Sequence, residues 1–126
     1  MNKFIIFLLL VSTFGYSQEK IEINNICKEW KLIALEKNGN IKLAEEFDKK
    51  ESIIFYKNKK FKMNDSEDTF NGIWKFDSNT NIIELTLVEL NHKIYLKIIN
   101  LSTDKFSYIY NEEDKKLIFH LIPKTI

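Results

Sequence analysis

The chain has 126 residues, with 19 lysines against 18 carboxylates, no arginine, two histidines and one cysteine. That length holds one domain, and a single cysteine excludes an internal disulfide scaffold. Cys27, His92 and His120 are one ligand short of a Cys/His structural zinc site, the missing arginine removes the usual means of bidentate phosphate recognition, and balanced charge leaves no electrostatic footprint for nucleic acid.

Residues 1–17 read as a secretory signal. Lys3 supplies the positive start, Phe4 to Val11 is an unbroken apolar run, and Gly15 and Ser17 are the small residues before a cut at Gln18. The apolar run is shorter than the roughly 20 residues that a membrane span requires. The expectation is therefore cleavage, export to the periplasm or beyond the cell, and no stable membrane insertion afterwards. Cys27 lies well past the cut, so it is not a lipid-anchoring first residue. Lys3 leaves with the signal, and lysines and carboxylates then balance. Ile26 and Trp30 place Cys27 on an apolar face.

Residues 18–126 read as one domain. Gln18 to Asn25 carries Ile21 and Ile23 and is either a strand fragment or a helical turn. Trp30 to Leu35 predicts a strand closed by Asn38-Gly39-Asn40, a strong turn signal. Ile41 to Leu43 is a short return strand, and Ala44 to Lys50 a helical turn or polar loop. From Ser52 onward the apolar period is two, the signature of a half-buried strand. Ile53–Tyr56 and Phe61–Met63 flank the turn Lys57-Asn58-Lys59. Phe70, Gly72, Trp74 and Phe76 share one face, as do Ile83, Leu85 and Leu87, then Ile94, Leu96 and Ile98. Phe106, Tyr108 and Tyr110, and finally Leu117, Phe119 and Leu121, repeat the pattern. Asn and Asp fill the gaps between these runs, and both tolerate left-handed turn positions. Eight or nine antiparallel strands joined by tight turns predict an up-and-down meander, closed into a barrel to remove its edges. A β-sandwich is the alternative. It needs a long crossover, which only residues 64–69 could supply.

Several segments carry a further likeness. They are Lys28-Glu29-Trp30-Lys31-Leu32, the hairpin Ile53 to Met63, Gly72-Ile73-Trp74-Lys75-Phe76-Asp77, Ile82-Ile83-Glu84-Leu85, and Ile98 to Ser102 leading into Lys105-Phe106. Over most of residues 28–122 the chain resembles the small exported lipocalin-like domains of Bacteroidetes-type bacteria. It departs from lipocalins at Lys28, where their opening Gly-x-Trp has glycine; the glycine-bearing version, Gly72-Ile73-Trp74, comes mid-chain. The resemblance implies an all-β, antiparallel, lipocalin-like barrel of about eight strands with an interior suited to an apolar ligand. It carries over little activity.

Candidate chemistry is sparse. His92 sits in the turn Asn91-His92-Lys93, and His120 shares an outward face with Ile118 and Ile122. Neither has an Asp, Ser or Cys partner nearby in sequence. Asp65, Glu67 and Asp68 crowd one short loop but lack the ligand order and glycine of a calcium-binding EF-hand. Glu45, Glu46 and Asp48 form a second acidic run. Lys57, Lys59, Lys60 and Lys62 read as a solvated hairpin tip of the kind that protects sheet edges. The expectation is a non-enzymatic protein with no cofactor, no metal and no nucleic-acid partner. Trp30, Phe55, Trp74, Phe76, Phe106 and Tyr108 face the barrel interior. They either line a site for a small apolar or amphipathic ligand, with Tyr108 offering a hydrogen bond, or fill the core of a module that engages a protein partner through loops or a sheet edge. Internal volume separates the two, with about 300 Å³ the lower bound for a ligand cavity.

Overall fold

The computed structural model describes residues 21–44, 51–65, 68–112 and 115–124. The expected signal segment, the acidic run at 45–48 and Glu67 lie outside them. A four-residue 3-10 helix, Ile23–Ile26, precedes nine strands. These are β1 (Glu29–Lys37), β2 (Asn40–Leu43), β3 (Ser52–Phe55), β4 (Lys60–Asn64), β5 (Thr69–Asp77), β6 (Ile82–Leu87), β7 (His92–Leu101), β8 (Phe106–Glu112) and β9 (Lys115–Pro123).

Each strand from β3 to β9 pairs antiparallel with the next, and β1 pairs with β9. β3 pairs in turn with β1, so eight strands close into a barrel. β2 is the extra strand. It pairs with residues 34–37 of β1, on the edge where β3 pairs with residues 29–31. β2 and β3 thus lie end to end in one lane. Where the sequence offered its only candidate crossover, β4 pairs directly with β5 from Asn64 opposite Thr69, and the Asp65 N–H donates to the Asp68 carbonyl. The sandwich alternative therefore does not form.

The turns follow side-chain chemistry. Asn38, Gly39, Asn81 and Asn91 all take positive φ, which glycine and asparagine adopt most readily. Lys59, at φ 72°, is the exception. It closes the β3–β4 turn, and its ammonium lies 4.2 Å from the centroid of the Trp74 ring.

Period two holds along the strands, so the inner face takes Trp30, Leu32, Ile53, Phe55, Phe61, Trp74, Ile83, Leu85, Leu96, Ile98, Phe106 and Leu121 as one buried cluster. Two bulges break the alternation. Between Leu32 and Ala34 the β1–β9 register shifts by one, and between Ile98 and Asn100 the β7–β8 register does the same. Each shift exchanges the inner and outer faces of the residues beyond it.

Gly72 is required by close approach. It stands opposite Phe61 on β4 and Leu87 on β6. A Cβ there would lie 1.9 Å from the Thr86 carbonyl oxygen and 2.7 Å from the Phe61 ring. The ring occupies the space a side chain would take. Gly72→Ala must push β6 away from β5, and we expect it to lower stability by about 1–3 kcal/mol, the range for overpacking a core. A reduced urea midpoint with an unchanged m-value measures this.

Candidate functional site

The barrel is closed at one end, its base. The 3-10 helix covers it, and Ile26 is fully buried there. The β3–β4, β5–β6 and β7–β8 turns lie at the same end. Two tryptophans fasten the closure: Trp30 Nε1–H donates to the Ile26 carbonyl at 2.9 Å, and Trp74 Nε1–H donates to the Tyr56 carbonyl at 3.0 Å. Lys28 lies 5.3 Å from the Trp30 ring centroid, and its ammonium donates to the Thr103 carbonyl in the β7–β8 turn at 2.9 Å. Phe55 meets Trp74 and Phe106 edge-on at 5.7 and 6.1 Å, and Trp30 meets Phe106 at 5.5 Å. Such ring pairs contribute about 0.5–1.5 kcal/mol each beyond their burial. Of the six residues expected to line a ligand site, Trp30, Phe55, Trp74 and Phe106 belong to this base and are at most 1% exposed. Phe76, near the β5–β6 turn, packs partly buried against the same cluster.

Burial eases toward the other end. Tyr108, the sixth, is 8% exposed and stacks on Phe119 with centroids 4.9 Å apart and planes 10° from parallel. Tyr110 meets Phe119 at 6.4 Å. Met63, Phe70, Ile94, Tyr110 and Phe119 are all partly buried inner-face residues packed against the core. Solvent therefore reaches an apolar, aromatic layer above a sealed base.

One carboxylate joins this layer. The Glu51 carbonyl accepts the Leu32 N–H at 3.0 Å, which continues the β1–β3 pairing by one residue. Glu51 thus stands opposite Leu32 and shares the face of Ile53 and Phe55. Burial, reinforced by the negative charge of Glu51 and by Tyr110, pushes the Tyr108 phenol well above its ordinary value. Nothing in the local sequence singles Glu51 out. The signal that could have found it is its parity with Ile53 and Phe55, read one residue before the strand.

A second polar cluster lies on the outer face, where three strands meet. The Ser107 hydroxyl on β8 lies 2.8 Å from His120 Nδ1 on β9, and His120 Nε2 lies 3.4 Å from Glu36 Oε2 on β1. With Nε2 protonated, Ser107 donates to Nδ1 and the ring donates to the carboxylate, which satisfies all three groups. The partners of His120 are distant in sequence and invisible there. The order of groups matches an acid–histidine–serine relay, but Ser107 is only 3% exposed. Its hydroxyl is covered, and the contacts the structure gives it tie strands together. Among the described residues no group of three or more His, Cys, Asp or Glu side chains is placed to hold a metal ion.

A groove of about 260 Å³ lies beside the β3–β4 turn, bordered by Tyr56, Asn58, Lys60, Lys62 and Asn71. Cys27 is a free thiol of intermediate burial that packs against the core cluster. His92 is exposed at the start of β7.

No protein-family model matches the chain, and no curated protein matches it. The architecture alone defines its class: a lipocalin-like, closed antiparallel barrel of eight strands with one extra strand.

Two outcomes follow from these clusters. His120→Ala leaves the Ser107 hydroxyl buried without its partner and should cost about 1–3 kcal/mol. Adding Ser107→Ala to that variant should recover part of the loss, as read by urea denaturation of both. The second concerns alkali. The raised phenol value of Tyr108 contributes stability that is fully present below the unfolded value of about 10 and is lost as pH rises above it, because only the unfolded chain then releases the proton. Urea midpoints between about pH 9 and 11 should therefore fall less steeply for Tyr108→Phe than for the unmodified chain.

Proposed function

We propose that the protein is an exported, non-enzymatic carrier of the lipocalin-like kind, holding a small apolar or amphipathic molecule in the upper half of its barrel. The observation that carries this reading is the gradient of burial along the inner face. The base is sealed by Trp30, Trp74 and the 3-10 helix, whereas Tyr110, Phe119, Phe70 and Met63 keep part of their surface accessible. An eight-stranded barrel has room for one small ligand when its lumen is not filled by side chains, and exposed aromatic surface inside a closed fold is the area such a ligand would cover. On this reading Tyr108 touches the ligand directly. Trp30, Phe55, Trp74, Phe76 and Phe106 form the floor beneath it. The Bacteroidetes-type lipocalin-like resemblance and the signal-like residues 1–17 support export.

A specific observation favours the second reading, a module that binds a protein partner. β2 presents Ile41 at 64% exposure and Leu43 at 49% on the outer face, and among the described residues it is paired only with β1. Edges of this kind recruit further strands.

Native mass spectrometry of the protein purified from its own host, followed by organic extraction, decides between them. A carrier arrives with a reproducible small-molecule adduct that extraction removes. A chain that always appears at its bare mass, and that takes up no apolar probe, overturns the carrier reading.

A further inference from the structure

Glu51 puts a half-buried carboxylate on the inner face of the barrel, and the sign of that charge selects among ligands. We infer that the ligand of the barrel is a cationic amphiphile, an alkyl or aryl ammonium whose charged head sits at Glu51 among the rings of Tyr108, Tyr110 and Phe119. This deepens the carrier reading and rests on it.

Three observations place the head. The backbone contact from Leu32 N–H to the Glu51 carbonyl extends the β3 pairing, so Glu51 takes the inner-face position opposite a core leucine. Its negative charge, after burial, helps to keep the Tyr108 phenol neutral. The surrounding layer supplies aromatic faces, with Tyr108 and Phe119 stacked and Tyr110 set against Phe119. A carboxylate beside aromatic faces is the chemistry that holds an ammonium, through charge and through the ring quadrupole. The protein already uses the ring contact twice at its base, with Lys59 over Trp74 and Lys28 over Trp30.

The same arrangement disfavours an anionic amphiphile. A second carboxylate brought beside Glu51 in a partly dehydrated lumen meets a repulsion that water does not screen. Lys37, Lys42 and Lys115 also occupy inner-register positions, but at the exposed ends of their strands. Their charges are solvated and attract anions weakly. Glu51 is half-buried and lies deeper, opposite Leu32. It has a partner in the ligand-free chain, so an entering ammonium exchanges with that contact.

The test compares three ligands with one tail: decylammonium, decanol and decanoate, titrated calorimetrically into the purified protein. Decylammonium should bind at least about tenfold tighter than decanoate, with decanol between them. Glu51→Gln keeps the shape and removes the charge. It should bring the two charged ligands to similar affinity and leave decanol unchanged, and the decanol result also shows that the variant's barrel is intact. Decanoate binding as tightly as decylammonium, or a preference that survives Glu51→Gln, overturns the inference and leaves a carrier in place. Failure of all three to bind the unmodified protein overturns the carrier reading, and the inference with it.

Discussion

Pairing of β1 with β9 closes the sheet into a barrel. Without it the sheet would present two long edges of unsatisfied backbone groups. The pairing runs from Trp30 opposite Pro123 to Lys37 opposite Leu117. Side chains mark it at both levels. Near the base, Lys124 pairs with Glu29 at 3.3 Å and its backbone N–H donates to the Glu29 carbonyl. Further up, His120 links Glu36 to Ser107 across three strands. The second link exists because of the β1 bulge. Before it, Trp30 and Leu32 face inward; after it, Glu36 stands opposite Ile118 on the outer face, within reach of His120. A single unpaired residue thus sends Glu36 to the seam instead of the lumen.

The two ends of the barrel divide the work. At the base, bulky rings, indole hydrogen bonds and lysine ammoniums over tryptophans make a floor with almost no accessible surface. That floor anchors the 3-10 helix and two of the turns by named contacts rather than by general apolarity. The far layer is chemically different. It is aromatic and apolar, partly wetted, and carries Glu51, whose charge opposes ionisation of the Tyr108 phenol. A rigid floor under a softer, charged layer is what a binding site on a stable scaffold requires.

Much of this architecture was legible in the residues. The period-two runs from Phe70 to Leu121 identify the inner face of five strands, because a half-buried sheet leaves no other alternation. The Asn-rich gaps mark the turns, and Asn38, Asn81 and Asn91 adopt the left-handed conformation that their chemistry allows. What could not be read has a common cause. The bulges at Ile33 and Ile99 depend on how neighbouring strands meet, so strict alternation gives the wrong parity beyond them. The Glu36–His120–Ser107 chain spans 84 residues of sequence between its acid and its histidine. Glu51 lies just ahead of a four-residue strand, where pattern reading loses its footing. Alternation puts the six aromatics on the inner face, but sequence carries no information on depth, so it does not separate Trp30 in the floor from Tyr108 in the layer above.

The shared lane of β2 and β3 has a consequence for how this fold can change. Leu43 pairs with Ala34 and the Glu51 carbonyl pairs with Leu32 N–H, so both ends of the intervening segment are held against neighbouring positions on one strand. The barrel's strand count and stagger are set without reference to how much chain lies between those two anchor points. Lengthening such an excursion costs little closure entropy, about 0.6 kcal/mol per doubling. Chain added between Leu43 and Glu51 would therefore leave every strand with its partners.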